Sequence, residues 1–146
     1  MVDITSKNVT QRTAVAQGRI YFSKKVYQLI KTNKLPKGDA LLTAQIAGIL
    51  AAKNVAHLIP LTHPINISFC KVTPELKSEG GKFYCEVTTE VTLEGKTGPD
   101  IEAMLSTVVS LVTIYDMIKQ HCPEATITEV KLLSKTGGKS NYICQT

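Results

Sequence analysis

At 146 residues the chain has the length of one domain, taken here as 1–146, and a core of that size hides about 68–70% of the unfolded surface without staples. Hydrophobic residues make up 43%, charged residues 20%, and the mean hydropathy is +0.03, which excludes a disordered tail, a coiled coil and a collagen-like repeat. Seventeen Lys and Arg against twelve Asp and Glu leave a net charge of +5, which points to an anionic partner, while the absence of Trp and only 5% aromatic residues argue against a base-stacking nucleic-acid platform.

A strand is expected over 13–23, with Ile20-Tyr21-Phe22 at its centre, followed by a helix over 24–32 that spaces Val26, Leu29 and Ile30 on one face. Leu35-Pro36-Lys37-Gly38 breaks that helix, and Asp39 is a good N-cap for a second one reaching to about Leu58. The small residues Ala44, Ala47, Gly48, Ala51 and Ala52 predict that it packs closely on another element. Pro60-Leu61-Thr62-His63-Pro64 is a rigid loop, because two prolines fix the backbone on either side of three residues. Alternation of apolar and polar residues over 65–76 and 82–93, with Gly80-Gly81 between, predicts a hairpin. Pro99 suits the first position of a long helix ending near Gln120, and a last strand is expected over 126–133.

That order of elements predicts an α+β fold, a ferredoxin-like split βαβ sandwich whose antiparallel sheet is covered by helices on one face. A hairpin joining two central strands argues against a doubly wound parallel sheet. The longest apolar stretch, Ile46 to Ala52, is far short of the ~20 residues that cross a bilayer. Residues 1–7 hold no apolar export signal, so a cytoplasmic protein without membrane attachment is expected. Cysteines at 70, 85, 122 and 144 have neither Cys-x-x-Cys nor zinc spacing, which predicts reduced thiols and no protein-held metal.

Candidate chemistry gathers on the long helix and the loops beside it. Asp116 and Lys119 are three residues apart and can pair as a solvated ion pair or as a steered acid–base couple. Asp100 and Glu102 complement the positive end of the helix dipole, and on regular helix they would point to different sides. Glu102 and Asp116 share a face yet stand about 21 Å apart along the axis, too far to serve one small reacting centre within one chain. His63 is held between prolines. Gly137-Gly138-Lys139-Ser140 and Lys37-Gly38-Asp39 each place backbone amides and a lysine where an anion could sit. The full phosphate-binding P-loop pattern is absent, since Leu133 occupies its first glycine position.

In combination these segments resemble the molybdenum cofactor biosynthesis protein C family of cyclic pyranopterin monophosphate synthases. The likeness runs through Met1-Val2-Asp3-Ile4, Lys37-Gly38-Asp39, Ile46-Ala47-Gly48-Ile49, Leu58-Ile59-Pro60-Leu61-Thr62-His63-Pro64 and Gly95-Lys96-Thr97-Gly98. It continues through Glu102-Ala103, Thr113-Ile114-Tyr115-Asp116-Met117 with Lys119, and Gly137-Gly138-Lys139-Ser140. The resemblance implies a lyase that converts 3′,8-cyclo-7,8-dihydro-GTP to cyclic pyranopterin monophosphate and expels pyrophosphate. It implies catalytic roles for Asp116, Lys119 and Lys37, the last in proton transfer or in holding phosphate. By the same likeness Leu61, Thr62 and His63 form a substrate-binding loop, Ile101 and Glu102 a binding pair, and Arg12 a phosphate ligand. Charge and glycine placement extend the phosphate site to Lys135 and Lys139, and Asp100 is placed with the binding residues.

The resemblance further implies a nucleotide-derived small-molecule substrate and a homo-hexamer, a trimer of dimers with sites at subunit interfaces. No cofactor is expected, and any Mg²⁺ would ride on substrate phosphates. Three positions depart from the family pattern. Thr62 stands where Cys is usual, Asp100 where Glu is usual, and Asn141 where a glycine often follows the Gly-Gly-Lys-Ser motif. Two competing expectations are a polyanion-binding module of the same fold and a catalytically degenerate paralogue.

Overall fold

The computed structural model describes residues 1–145. Its elements are β1 (Thr10–Phe22), α1 (Lys24–Lys31), α2 (Ala40–Lys53), α3 (Val55–Leu58), β2 (Phe69–Glu79), β3 (Lys82–Gly95), α4 (Asp100–Ile118), β4 (Thr126–Thr136) and β5 (Tyr142–Ile143). The strands form one sheet in the order β2-β3-β1-β4-β5, every pair antiparallel. Strand β1 reaches β2 through helices, which leaves room for β3 to enter between them, the arrangement a split βαβ unit requires. The α+β expectation and its antiparallel sheet stand.

Strand β1 alternates strictly, with Ala14, Ala16, Gly18, Ile20 and Phe22 buried and the residues between them half-exposed. The buried set faces α4. Gly18 is small for a reason: a Cβ there would meet side-chain carbons of Leu111 and Val130 at 2.8 and 2.9 Å. The main core joins Ile20, Val26, Val72, Val87, Leu111, Ile114 and Ile118, drawn from the sheet, α1 and α4. Helix α2 lies against α4 through small residues, as its composition predicts. A Cβ on Gly48 would overlap Ser110 Oγ, and Ser110 Oγ itself donates to the Ala44 carbonyl at 2.9 Å. Contacts of 37 with 116, 44 with 110 and 48 with 106 show that α2 runs antiparallel to α4.

Several boundaries differ from expectation. The second helix stops at Lys53 instead of about Leu58, where Asn54 takes φ −114° and ψ 11° and a separate short turn, α3, follows. Strand β2 begins at Phe69 rather than at 65, although Ser68 N–H already donates to the Thr92 carbonyl. Strand β4 runs on to Thr136 because it keeps pairing with β1 past a bulge near Glu129, which sits at φ +58°. Pro99 caps α4 and Asp100 is its first helical residue, a shift of one position. Gly80 and Gly81, at φ +56° and +75°, make the tight turn of the β2–β3 hairpin.

Helix α4 is long and apolar enough to cross a membrane by length and composition. It lies instead in the fold, with Ala103, Leu111, Ile114 and Ile118 buried against the sheet.

Candidate active site

The charged candidates fall into two groups at opposite ends of α4. At its C-terminal end Asp116 holds two ammonium groups. Lys119 Nζ lies 2.8 Å from Oδ1 and Lys37 Nζ 2.6 Å from Oδ2, with a further Lys37 contact of 3.2 Å to the Asp116 carbonyl. Lys37 is delivered there by the start of α2. Gly38 takes φ +94° to turn the chain, and the Asp39 carboxylate then accepts from Leu41 and Leu42 N–H, both at 3.0 Å. The hydrogen bonds from Lys119 and Lys37 pull the Asp116 carboxyl down to about 2, and the same contact pushes Lys119 up. Asp116 is therefore ionised throughout the neutral range. Half-exposed ion pairs such as these add little to stability.

At the N-terminal end of α4 a cavity of about 510 Å³ opens between β1, the segment after β3 and the glycine loop after β4. Arg12, Lys135, Lys139 and Asp100 line it, as does Lys7, which sequence reasoning did not single out. Lys135 Nζ pairs with Asp100 Oδ2 at 2.8 Å. Arg12 Nε donates to the Gly95 carbonyl at 2.9 Å, which holds the guanidinium across the cavity floor. No carboxylate pairs with Arg12, Lys7 or Lys139 among the described residues.

The glycine loop is built to approach this floor. Gly137, at φ +83°, presses on the Gln11 backbone so closely that a Cβ would collide with its carbonyl, and a Cβ on Gly138 would stand 3.2 Å from Arg12 Nη1. Thr10 Oγ1 donates to the Gly137 carbonyl at 2.6 Å, and Gly137 N–H donates to Asn141 Oδ1 at 3.2 Å. The departure at 141 thus has a task, since its side chain fixes the loop.

Asp100 and Glu102 diverge as regular helix requires. Asp100 faces the cavity and Lys135, whereas Glu102 turns inward and is only 3% exposed. Burial pushes the Glu102 carboxyl up to about 7, and the nearby Asp100 charge adds to that rise. Ile101, between them, is exposed.

Leu61, Thr62 and His63 lie in the loop after α3 and do not line the cavity. Leu61 is exposed, while Thr62 and His63 are half-buried, and Thr62 N–H donates to the Ile59 carbonyl at 3.4 Å. Within one chain this loop makes no hydrogen bond to either charged group among the described residues. No group of three His, Cys, Asp or Glu stands together at metal-binding distance among the described residues.

Fold and site together define a small basic α+β protein that presents a cation-lined cavity and a separate lysine–aspartate–lysine centre. The model of the MoaC family matches residues 1–138. A cyclic pyranopterin monophosphate synthase of Campylobacter lari is 45% identical over 140 residues, covering 96% of this chain and 88% of the relative. One from Thermoanaerobacter sp. strain X514 is 41% identical over the same length, covering 96% and 87%. Cyclic pyranopterin monophosphate synthase 2 of Mycobacterium bovis is 44% identical over 139 residues, covering 95% and 81%. The chain belongs to the MoaC family.

Proposed function

We propose that this chain is a cyclic pyranopterin monophosphate synthase, a lyase of molybdenum cofactor biosynthesis. It converts 3′,8-cyclo-7,8-dihydro-GTP to cyclic pyranopterin monophosphate and releases pyrophosphate. What carries the proposal is the meeting of two independent facts. The chain matches the family over nearly its whole length, and of the residues carried over from the family Lys37, Asp116 and Lys119 meet at one charged centre while Arg12 lines a cation-rich cavity.

The cavity with Arg12, Lys135 and Lys139 takes the triphosphate, where charge-assisted contacts to phosphate oxygens are strong. The Asp116 carboxylate holds Lys37 and Lys119 in place, so those ammoniums donate protons or hold developing negative charge as the purine-derived ring is rebuilt. Glu102 is the group whose proton comes and goes near neutral pH, which suits it to general acid–base work. Leu61, Thr62, His63 and Ile101 contact the substrate's organic part. The cavity's cations are poor metal ligands, so any Mg²⁺ arrives on the phosphates and the chain itself needs no cofactor.

One chain does not bring these parts together, since Glu102 and Asp116 are about 21 Å apart on α4. The site is therefore shared between copies, as in a hexamer made of dimers. Two features of the surface support association. Leu42, Ile46, Leu50 and Val112 leave apolar side chains about half exposed on α2 and α4. The accessible surface is 8324 Å², against about 7,400 Å² expected of a compact monomer of this mass. The enzyme works in the cytoplasm on a small soluble substrate. A polyanion-binding module is not favoured, because carboxylates sit inside both basic centres.

A turnover assay with fresh 3′,8-cyclo-7,8-dihydro-GTP, following pyrophosphate and the oxidised pterin, tests the proposal. Wild type makes both products, and Asp116→Ala and Lys119→Ala chains, still folded, make neither. Binding without product in wild type would sink it in favour of a degenerate paralogue.

A further inference from the structure

We infer that Asn33 is a positioning residue for Lys37: its left-handed backbone sets the path of the α1–α2 connection that carries the Lys37 ammonium onto Asp116. The assignment rests on the function proposed above and deepens its lysine–aspartate–lysine centre. Lys37 lies on a connection, 32–39, of which only Leu35 is buried. Little packs around it there, so the backbone has to aim it.

Three backbone devices follow one another along that connection. First, α1 ends in a Schellman motif. Lys34 N–H donates to the Leu29 carbonyl at 2.9 Å and Asn33 N–H to the Ile30 carbonyl at 3.0 Å, with Asn33 at φ +51°. That closure requires a left-handed residue, a conformation glycine adopts freely, asparagine tolerates and a β-branched side chain resists. Asn33 is exposed, so its backbone, and not the packing of its side chain, accounts for its place. Second, the reversed chain sends Leu35, 5% exposed, into the same core cluster as Ile30 and Ala40. Third, Gly38 N–H donates to the Leu35 carbonyl at 3.0 Å, a β-turn with Pro36 and Lys37 at its centre and glycine last, the placement such turns favour. Lys37 therefore leaves from a turn pinned on both sides, by Asn33 and Leu35 before it and by the Asp39 cap of α2 after it. From there its Nζ reaches Asp116 Oδ2 at 2.6 Å. Taking residue 33 out of the left-handed region opens the closure and shifts the turn, and small displacements of a catalytic group are costly.

The turnover assay above and a titration of Asp116, both on the whole protein, test this together. Asn33→Gly should keep kcat/KM within about twofold of wild type, Asn33→Val should lose about tenfold, and Asn33→Ala should fall between them. The Asp116 carboxyl is followed by NMR in protein carrying isotope-labelled aspartate. It should titrate above its wild-type value of about 2 in Asn33→Val and in Lys37→Ala, because the Lys37 hydrogen bond is lost, and should stay in place in Asn33→Gly. A cap that serves stability alone would lower the denaturant midpoint of Asn33→Val and leave that titration unmoved. An unmoved Asp116 or full turnover in Asn33→Val overturns the assignment, as does an Asn33→Gly chain as impaired as Asn33→Val. Absence of product in wild type overturns the function proposed above, and the Asp116 titration then decides the role of Asn33 by itself.

Discussion

Glu102 and Asp116 stand on one helix, 14 residues apart, with their ionisation displaced in opposite directions. Glu102 is buried and rises to about 7, while Asp116, held by two lysines, falls to about 2. Each displacement has a measurable consequence.

Because Glu102 titrates at about 7 when folded and near 4.5 when unfolded, the folded state binds more protons between those values. Stability contributed by the neutral form is complete below pH 4.5 and is lost as pH rises toward 7. Glu102→Gln should therefore flatten the downward slope of unfolding free energy across that window, and should unfold at higher denaturant than wild type at pH 8. Urea titrations at several pH values check it, and an unchanged slope would contradict the buried carboxyl.

Asp116 has the reverse sign. Its ion-paired form stabilises the fold above the ordinary value of 3.8, and that contribution is lost as pH falls toward 2. Asp116→Asn should flatten the acid limb of stability only slightly, because the pairs are half-exposed, and, by releasing Lys37 and Lys119, lower kcat by about 10²-fold or more. Retention of kcat within threefold would remove Asp116 from the chemistry.

Much of this was legible in sequence, and the exceptions have physical causes. Periodicity located α1, the β2–β3 hairpin and α4, because each buries a continuous face. It could not see that Asn54 ends α2, since Ala and Val continue the apolar run beyond it. The pairing of Asp116 with Lys119 follows from helical spacing, but the arrival of Lys37 depends on α2 packing antiparallel to α4, a tertiary fact. Lys7 gave no signal at all, because a single lysine near the chain's start looks like any other surface charge. The inward turn of Glu102 follows from its two-residue offset from Asp100 only once the helix is known to be regular there.

On the sheet face away from the helices, Glu86 is buried between Arg19, at 2.7 Å, and Lys77, at 2.5 Å. Burial raises its carboxyl, but the two hydrogen-bonded cations outweigh that and hold it below the usual range. Glu86→Ala leaves both cations without their shared acceptor and should cost about 1–3 kcal/mol of unfolding free energy. Denaturant midpoints measure this, and a change under half that range would mean the cations find other partners.

Thr62 lies half-buried in its proline-bounded loop, apart from both charged centres of its own chain. Nothing in the chemistry proposed above asks a thiolate of that position. Thr62→Cys should leave kcat/KM within about threefold, since a positioning contact survives the exchange of hydroxyl for thiol far better than a nucleophile would. A gain of tenfold or more would mean that the natural residue impairs the enzyme.

The claim that the cavity of one chain works with the Asp116 centre of another is tested most directly by mixing two inactive variants from opposite ends of α4. Arg12→Ala and Asp116→Ala chains are co-expressed and the hybrids purified. Random assembly leaves about one quarter of the shared sites with both parts intact, so hybrids should recover roughly that fraction of wild-type turnover while each parent stays inactive. No recovery at any ratio of the two chains, in assemblies shown to contain both, would contradict a shared site.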